Sequence, residues 1–355
     1  INPREIPTGA VRYNTDSNKM EVYVGSAWME VAVSTPDLGN SDAGARGLIM
    51  GGNSPGAPNS GRLNNIEYVT ITSAGNAQDF GDLTSVGRSS TGSCASRTRG
   101  LAMGGFDESA PAYRDIIDFV TISSTGNATD FGNLTINRQP PCSFSNATRG
   151  CCAGGYAIAP LISPNQNMTT IDFVTIAAEG NAVDFGDMTV AYRSRDSVQS
   201  PTRGIMVGGY SSVGNESKVI DFVTIATTGN AQDFGDIGTK FASYSQNGYG
   251  SSTRGVFPLC DSNDSGNYVC DSLDFITLST LGNTVEYGDL TTDRAIACSF
   301  SNPTRGILVA GASPDSDDID YNNIATGGTS VDFGEYSAYS KLSAASGCSN
   351  AHGGL

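Results

Sequence analysis

The chain has a single histidine, His352, and few charges, with only 16% of its 355 residues being Asp, Glu, Lys or Arg. A lone histidine with no matched Ser or Cys constellation argues against triad-type catalysis. No apolar run approaches the ~18 residues of a membrane span. No secretory signal is visible. Basic residues are scarce: 20 Lys and Arg stand against 36 Asp and Glu, giving a formal net charge of −16 and a pI near 4.3. Such a balance repels nucleic acid and anionic membranes. None of the eight cysteines forms a Cys-x-x-Cys pair, which argues against structural zinc. The chain begins at Ile1 without Met, so an upstream segment lost, processed or left out is expected.

Glycine, by contrast, is abundant, at 44 residues, and it recurs in register. An aromatic-glycine phrase appears six times: Asp79-Phe80-Gly81, Asp130-Phe131-Gly132, Asp184-Phe185-Gly186, Asp233-Phe234-Gly235, Glu286-Tyr287-Gly288 and Asp332-Phe333-Gly334. The aromatics are spaced by 51, 54, 49, 53 and 46 residues. A Thr-Arg-Gly turn precedes each later phrase, at Arg99, Arg149, Arg203, Arg254 and Arg305, with a variant at Arg46. An apolar run ending in Gly-Gly follows, then a loop of variable length, then Ile-Asp-Phe-Val-Thr-Ile, clearest at 117–122, 171–176 and 220–225. Gly-Asn turns, such as Gly126-Asn127 and Gly180-Asn181, lead into the aromatic phrase.

Each piece reads as a strand or a tight turn. The β-branched and aromatic residues of 171–176 favour extended chain, and the run is too short and uncapped for a helix. Gly-Asn tolerates the positive φ that hairpins require. Four strands per unit result: a before Thr-Arg-Gly, b to Gly-Gly, c through Ile-Asp-Phe-Val-Thr-Ile, and d through the aromatic phrase. A period near 50 with four strands predicts an all-β, six-bladed kelch-like β-propeller over residues 33–355. Residues 1–32 form a small N-terminal β-hairpin module. The first unit has a poor strand a in 33–45, whereas Ser346-Gly347-Cys348-Ser349 echoes Cys298-Ser299-Phe300-Ser301. The C-terminal strand is therefore expected to pair beside Arg46 and close the ring, removing free sheet edges.

Some apparent chemistry dissolves under the repeat. Asp-Phe-Gly recurs six times and lacks the other kinase signatures, so Phe80, Phe131, Phe185, Phe234, Tyr287 and Phe333 read as repeat-turn aromatics. The repeat arginines Arg99, Arg149, Arg203, Arg254 and Arg305 read as structural, substantially buried and bonded to carbonyls or carboxylates. An anion-binding Arg ring is the less favoured reading. Cys94, Cys142, Cys298 and Cys348 fall in strand a and read as small buried thiols. Cys260 and Cys270 flank one loop, and a bridge between them is left open. The acidic loop at 261–267 lacks the Glu and the flanking helices of a calcium loop. No catalytic residue, metal or cofactor is expected.

Variation between units concentrates in the b–c loops, which should emerge on one face. Divergent loops on a repeated scaffold suit recognition. Their aromatics Tyr113, Tyr156, Tyr210 and Tyr268 are the candidate ligand contacts, because exposed rings stack on sugars without bringing charge.

The N-terminal stretch Gly9-Ala10-Val11-Arg12-Tyr13-Asn14-Thr15, with Met20 to Gly25 and Ala27-Trp28, resembles a β-module of bacteriophage tail-fibre and virion structural proteins. The repeats resemble kelch-like propellers of marine phage structural proteins, cyanophages especially, which often end like Ser349 to Leu355. The resemblance spans nearly the whole chain. It implies a non-enzymatic virion component, a tail fibre or appendage located in the virion. Other virion proteins would be bound through the N-terminal module, as a homo-oligomer or part of a larger assembly. The loops would meet a host cell-surface glycan or protein, with no nucleic acid and no membrane insertion. The alternatives are a purely architectural virion or capsid-associated protein and a glycan-active propeller enzyme.

Overall fold

The computed structural model describes residues 7–14, 19–25, 27–30, 45–57, 59–107, 112–158, 166–210, 217–238, 241–242, 248–262, 268–312 and 314–355. The chain separates into two compact units, Ile1–Ser41 and Asp42–Leu355. The first holds a three-stranded antiparallel meander, Val11–Asn14, Lys19–Val24 and Ala27–Glu30. Tyr23 meets Trp28 edge-on at 5.3 Å, and Arg12 lies over the Trp28 ring while pairing with Glu21 at 2.7 Å.

The second unit is all-β, built of antiparallel sheets with no α-helix among the described residues. Gly92–Ala95, Arg99–Met103, Ile116–Thr121 and Thr129–Asn133 form one four-stranded sheet in sequence order. Cys142–Ser145, Arg149–Ala153, Thr170–Thr175 and Val183–Asp187 form the next. Asp196–Gln199, Arg203–Val207, Val219–Thr224 and Gln232–Asp236 form another. The units that follow share the long strand Val285–Ser301, which pairs with Tyr268–Thr277 through its first half and Arg305–Ala312 through its second. The earliest sheet takes its strand a from the C-terminus: Ser346–Ser349 pairs with Arg46–Met50, Cys348 opposite Leu48, and Asn65–Thr70 and Gln78–Asp82 complete it.

The aromatic-glycine phrase lies inside strand d as a β-bulge, not at a turn. Asp172 pairs with Asp184 and Ile171 with Gly186, so Phe185 is the extra residue. The bulge turns the ring inward, where Phe185 is 2% exposed. There it meets the strand c aromatic edge-on at 5.9 Å, and the other units repeat this pairing at 5.8 to 6.0 Å. The following glycine is needed twice over. Gly81 has φ +149, and a Cβ there would stand 2.4 Å from the Gly126 carbonyl of the next sheet.

That close approach carries a hydrogen-bond relay between sheets. Gly126 donates its N–H to Phe80 O at 2.7 Å, Gly180 to Phe131 O, Gly229 to Phe185 O, Gly282 to Phe234 O and Gly328 to Tyr287 O. Gly75 of the earliest sheet donates to Phe333 O of the latest at 2.8 Å. The Asn of each Gly-Asn turn accepts from the residue after the phrase, as Asn181 Oδ1 does from the Asn133 N–H at 3.0 Å. Strands so joined bury their apolar faces between neighbouring sheets. Cys94, Leu101, Met103 and Phe131 pack against Val174 and Ile176. Ile307, Val309 and Phe333 pack against Ile49, Val69 and Ile71.

Candidate binding face

The repeat arginines hold one role in every sheet. Each lays its guanidinium over the strand c ring of its own sheet, at 4.4 to 4.9 Å for Arg46, Arg99, Arg149, Arg203, Arg254 and Arg305. Each also donates Nη1 to a carbonyl just past strand c of the following sheet. Arg99 reaches Ile176 O at 3.2 Å, Arg149 Ile225 O, Arg203 Leu278 O, Arg254 Ile324 O, and Arg305 returns to Ile71 O at 3.2 Å. These side chains are partly buried, Arg99 being 24% exposed. The guanidinium caps a ring at the sheet margin, so one of its faces stays in water. The glycine beside it makes room for the preceding sheet: a Cβ on Gly204 would meet the buried Phe144 ring at 2.1 Å.

The fully buried arginines are a second set that the repeat reading missed. Arg88, Arg138, Arg195 and Arg294 follow strand d of one sheet and reach the strand c aspartate of the next: Asp118 at 2.8 Å, Asp172 at 2.5 Å, Asp221 at 2.7 Å and Asp320 at 2.8 Å. A threonine hydroxyl shares each carboxylate, from Thr84, Thr135, Thr189 and Thr291. Carbonyl oxygens take further guanidinium protons, as Gly154 and Thr170 do for Arg138, while Arg88 Nε and Arg195 Nε have no partner among the described residues. Pairing with a carboxylate and hydrogen bonds to carbonyls make these buried charges tolerable. The sequence signal was the acid inside Ile-Asp-Phe. It was obscured because the arginine follows the aromatic phrase at no fixed distance.

The earliest sheet has Glu67 where the others have Asp. Its carboxylate accepts from the Ser337 N–H and hydroxyl at 3.4 Å. Burial pushes the Glu67 carboxyl above its ordinary range, and the Ser337 bonds only partly offset this.

The first strands of several sheets line a small cavity with Ser93, Ser143, Ser197, Ser299 and Ser349. The space open to water centres is about 40 Å³, room for a few waters and not for a sugar. His352 closes it, buried, with Nε2 2.7 Å from Ala95 O and Nδ1 accepting the Gly354 N–H at 3.0 Å. Burial lowers the imidazole to about 4, so at neutral pH it is an uncharged structural group. Cys94, Cys142, Cys298 and Cys348 are free and buried, as are Cys151 and Cys152. Cys260 is disulfide-bonded and stands opposite Cys270 in the strand register. Among the described residues no cluster of His, Cys, Asp and Glu is arranged to hold a metal ion.

The candidate tyrosines come together in part. The residue after Gly-Gly is held by a bridge to the segment entering its own unit: Phe106 to Ser89, Tyr156 to Gln139 and Tyr210 to Arg193. Phe106 meets Tyr113 edge-on at 5.6 Å, and Tyr113 meets Tyr156 at 6.2 Å. Arg62 lies over Phe106 at 4.4 Å, and Arg193 lies between Tyr156 and Tyr210 at 4.9 and 5.6 Å. The result is a half-buried arc of rings and guanidinium groups spanning several sheets. The rings are less exposed than the loop reading implied, because they pack on one another. The side chain of Tyr268 lies outside the described residues, as do 108–111, 159–165, 211–216 and 263–267 of the loops. The cations Arg62 and Arg193 were not visible as partners of these rings in the sequence, since Arg62 precedes the unit of Phe106 and Arg193 lies on the connector between the units of Tyr156 and Tyr210. Comparison with protein-family models and with curated proteins finds no match to this chain.

Proposed function

We propose that the chain is a non-enzymatic bacteriophage virion protein, a tail fibre or appendage component that presents the b–c loop face to a host surface. In this reading the sheets are the blades of a six-bladed kelch-like β-propeller closed by the C-terminal strand. Closure is supported by the relays that return from Phe333 to Gly75 and from Arg305 to Ile71. The viral assignment rests on the resemblance of the N-terminal stretch and the repeats. Attachment through the first unit is supported by its exposed apolar side chains, Val11, Tyr13, Val24 and Met29, each more than half exposed.

The observation that carries host recognition is the arc Arg62–Phe106–Tyr113–Tyr156–Arg193–Tyr210. Its rings lie outside the relays that join the sheets, yet they are gathered on the side where the units differ most. A fixed scaffold with variable, aromatic-rich loop ends is how binding sites are commonly built. The non-enzymatic reading is supported by the engagement of the buried carboxylates. Asp118, Asp172, Asp221 and Asp320 are each held by an arginine and a threonine, which leaves none of them as a proton donor or nucleophile.

The test is binding of the labelled full chain to a panel of marine cyanobacteria and to their envelope polysaccharide, with immunogold labelling of phage particles. Expected are labelled appendages, saturable binding to some strains, and no release of sugar from the polysaccharide. Binding unaffected by combined Tyr113→Ala, Tyr156→Ala and Tyr210→Ala replacement would remove the arc from the host contact. Labelled particles whose protein binds no host material would favour the architectural role.

A further inference from the structure

The geometry points to a carboxylate-recognition subsite at Arg193, flanked by Tyr156 and Tyr210, for a uronate-type sugar of an acidic polysaccharide. The inference rests on the loop-face reading above and gives it a ligand class. Arg193 is unlike most arginines of the chain. Arg12, Arg99 and Arg114 face Glu21, Glu179 and Asp107, and the four buried arginines face aspartates. Among the described residues the Arg193 guanidinium has no hydrogen bond and no ion pair; it only lies against two rings. In a chain of net charge −16, a half-buried cation with neither a carboxylate nor a carbonyl stands apart even from the repeat arginines, whose Nη1 groups meet carbonyls.

The group is also preorganised. The Arg193 N–H donates to Tyr210 O at 3.2 Å, and the Tyr210 N–H returns to Arg193 O at 2.9 Å. Two ring contacts then hold the planar fork, which suits a carboxylate through paired N–H donors. Behind the rings, Asn167 stands opposite Tyr156 in register and is 5% exposed. It donates Nδ2 to Tyr210 O at 2.7 Å and leaves Oδ1 without a partner. That oxygen is shut off from solvent behind the rings, so the amide backs the Tyr156–Tyr210 pair and does not meet a ligand. One cation between two aromatic faces matches a sugar ring that carries a carboxylate. An acidic peptide would use the cation but has no need of the faces. The acidic remainder of the chain repels a polyanion, so binding should be local and weakened by salt.

The experiment is calorimetric titration of the full chain with oligogalacturonates, with the same oligomers after carboxyl reduction, and with oligoglutamate. Arg193→Gln, Arg193→Lys and the exposed control Arg97→Gln are compared with the parent, after thermal melts show that each folds. The expected result is binding of the uronate only. Affinity should fall about tenfold or more in Arg193→Gln, fall partially in Arg193→Lys, where charge remains and the fork is lost, and hold in Arg97→Gln. Equal binding of the carboxyl-reduced oligomers, equal binding of oligoglutamate, or full affinity in Arg193→Gln would each overturn the subsite. If the parent binds cyanobacterial cells but no uronate, the subsite falls while the loop-face reading stands. If it binds neither, both fall.

Discussion

The contact between the sheets of 92–133 and 142–187 and the contact between the latest and earliest sheets share one backbone relay but differ in what is buried beside it. In the former, Arg138 and Asp172 are fully buried and joined at 2.5 Å, with Thr135 on the same carboxylate. In the latter, the corresponding acid is Glu67, held by Ser337 at 3.4 Å, while Lys341 turns outward to Asp315. The difference teaches that the buried ion pair is not what makes neighbouring sheets adhere. The apolar faces and the Gly–aromatic hydrogen bonds, Gly180 to Phe131 and Gly75 to Phe333, are common to both. The earliest sheet instead borrows a strand from the far end of the chain, which also carries the buried His352 to Ala95 of another sheet.

Removal of residues 344–355 strikes the earliest sheet and the bonds that His352 makes to Ala95 and Gln199 of other sheets, and should have the largest effect. The earliest sheet loses strand a, the cavity loses His352, and the Arg46–Met50 edge is left unpaired. A fall in Tm on the order of 10 °C or more, or failure to fold, is expected in a calorimetric melt. A melt equal to the parent's would show that the tail strand is dispensable.

Next come the two acids, compared directly. Asp172→Ala strands the buried Arg138 guanidinium and should cost about 3–5 kcal/mol in a urea titration. Glu67→Ala strands only a serine hydroxyl and an N–H that water can reach, and should cost about 1 kcal/mol. The double replacement Arg138→Met with Asp172→Leu should cost less than Asp172→Ala alone, because no charge is left behind. Equal losses for Asp172→Ala and Glu67→Ala would erase the distinction between the two contacts.

The pH dependence isolates His352. Its folded-state value is lowered to about 4 from an ordinary 6.5, so the unfolded chain binds the extra proton between those limits. Its contribution is fully present above pH 6.5 and is lost as pH falls toward 4. The loss from this group alone amounts to about 3 kcal/mol. Stability of His352→Gln, measured by urea titration across this range, should lack that component. An unchanged slope would place the imidazole in water.

The smallest effect belongs to Glu67→Gln. The carboxyl is raised by burial, so the folded state prefers it protonated, and its ionisation opposes folding as pH rises above the ordinary carboxylate range. An amide keeps an acceptor for Ser337 without the charge. A gain of below about 1 kcal/mol at neutral pH, vanishing at acid pH, is expected from melts. A loss at neutral pH would mean that the charge itself is held favourably.

The repeat was legible because each unit solves the same local problem. Ile-Asp-Phe-Val-Thr-Ile, Gly-Asn and the aromatic phrase each specify extended chain or a tight turn through residues near one another in sequence. The pairing of Ser346–Ser349 beside Arg46–Met50 could be read from the echo of Cys298 to Ser301. The last unit kept its geometry despite its altered sequence: Tyr321 still meets Phe333 at 6.0 Å beneath Arg305. Asn322, in place of Val, accepts the buried Tyr249 hydroxyl at 2.7 Å.

Other features depended on neighbours that the sequence does not set side by side. Asp-Phe-Gly looked like a turn and is a bulge, because its glycine must admit the backbone of the next sheet. Arg88, Arg138, Arg195 and Arg294 stand outside the repeat phrase and went unread in the sequence, yet they are deeply buried charges, because each reaches an acid about thirty residues onward. Tyr156 and Tyr210 were visible as loop aromatics, but Arg193 between them was not.

The sequence by itself determined the strands, their order within each unit and the all-β class, since these follow from periodicity, turn chemistry and β propensity over short stretches. Only the tertiary structure decided which arginines are buried, which acid lacks a guanidinium, and which rings share a cation. Those outcomes are set by distances between units, where desolvation and charge pairing act on residues that chain order keeps apart.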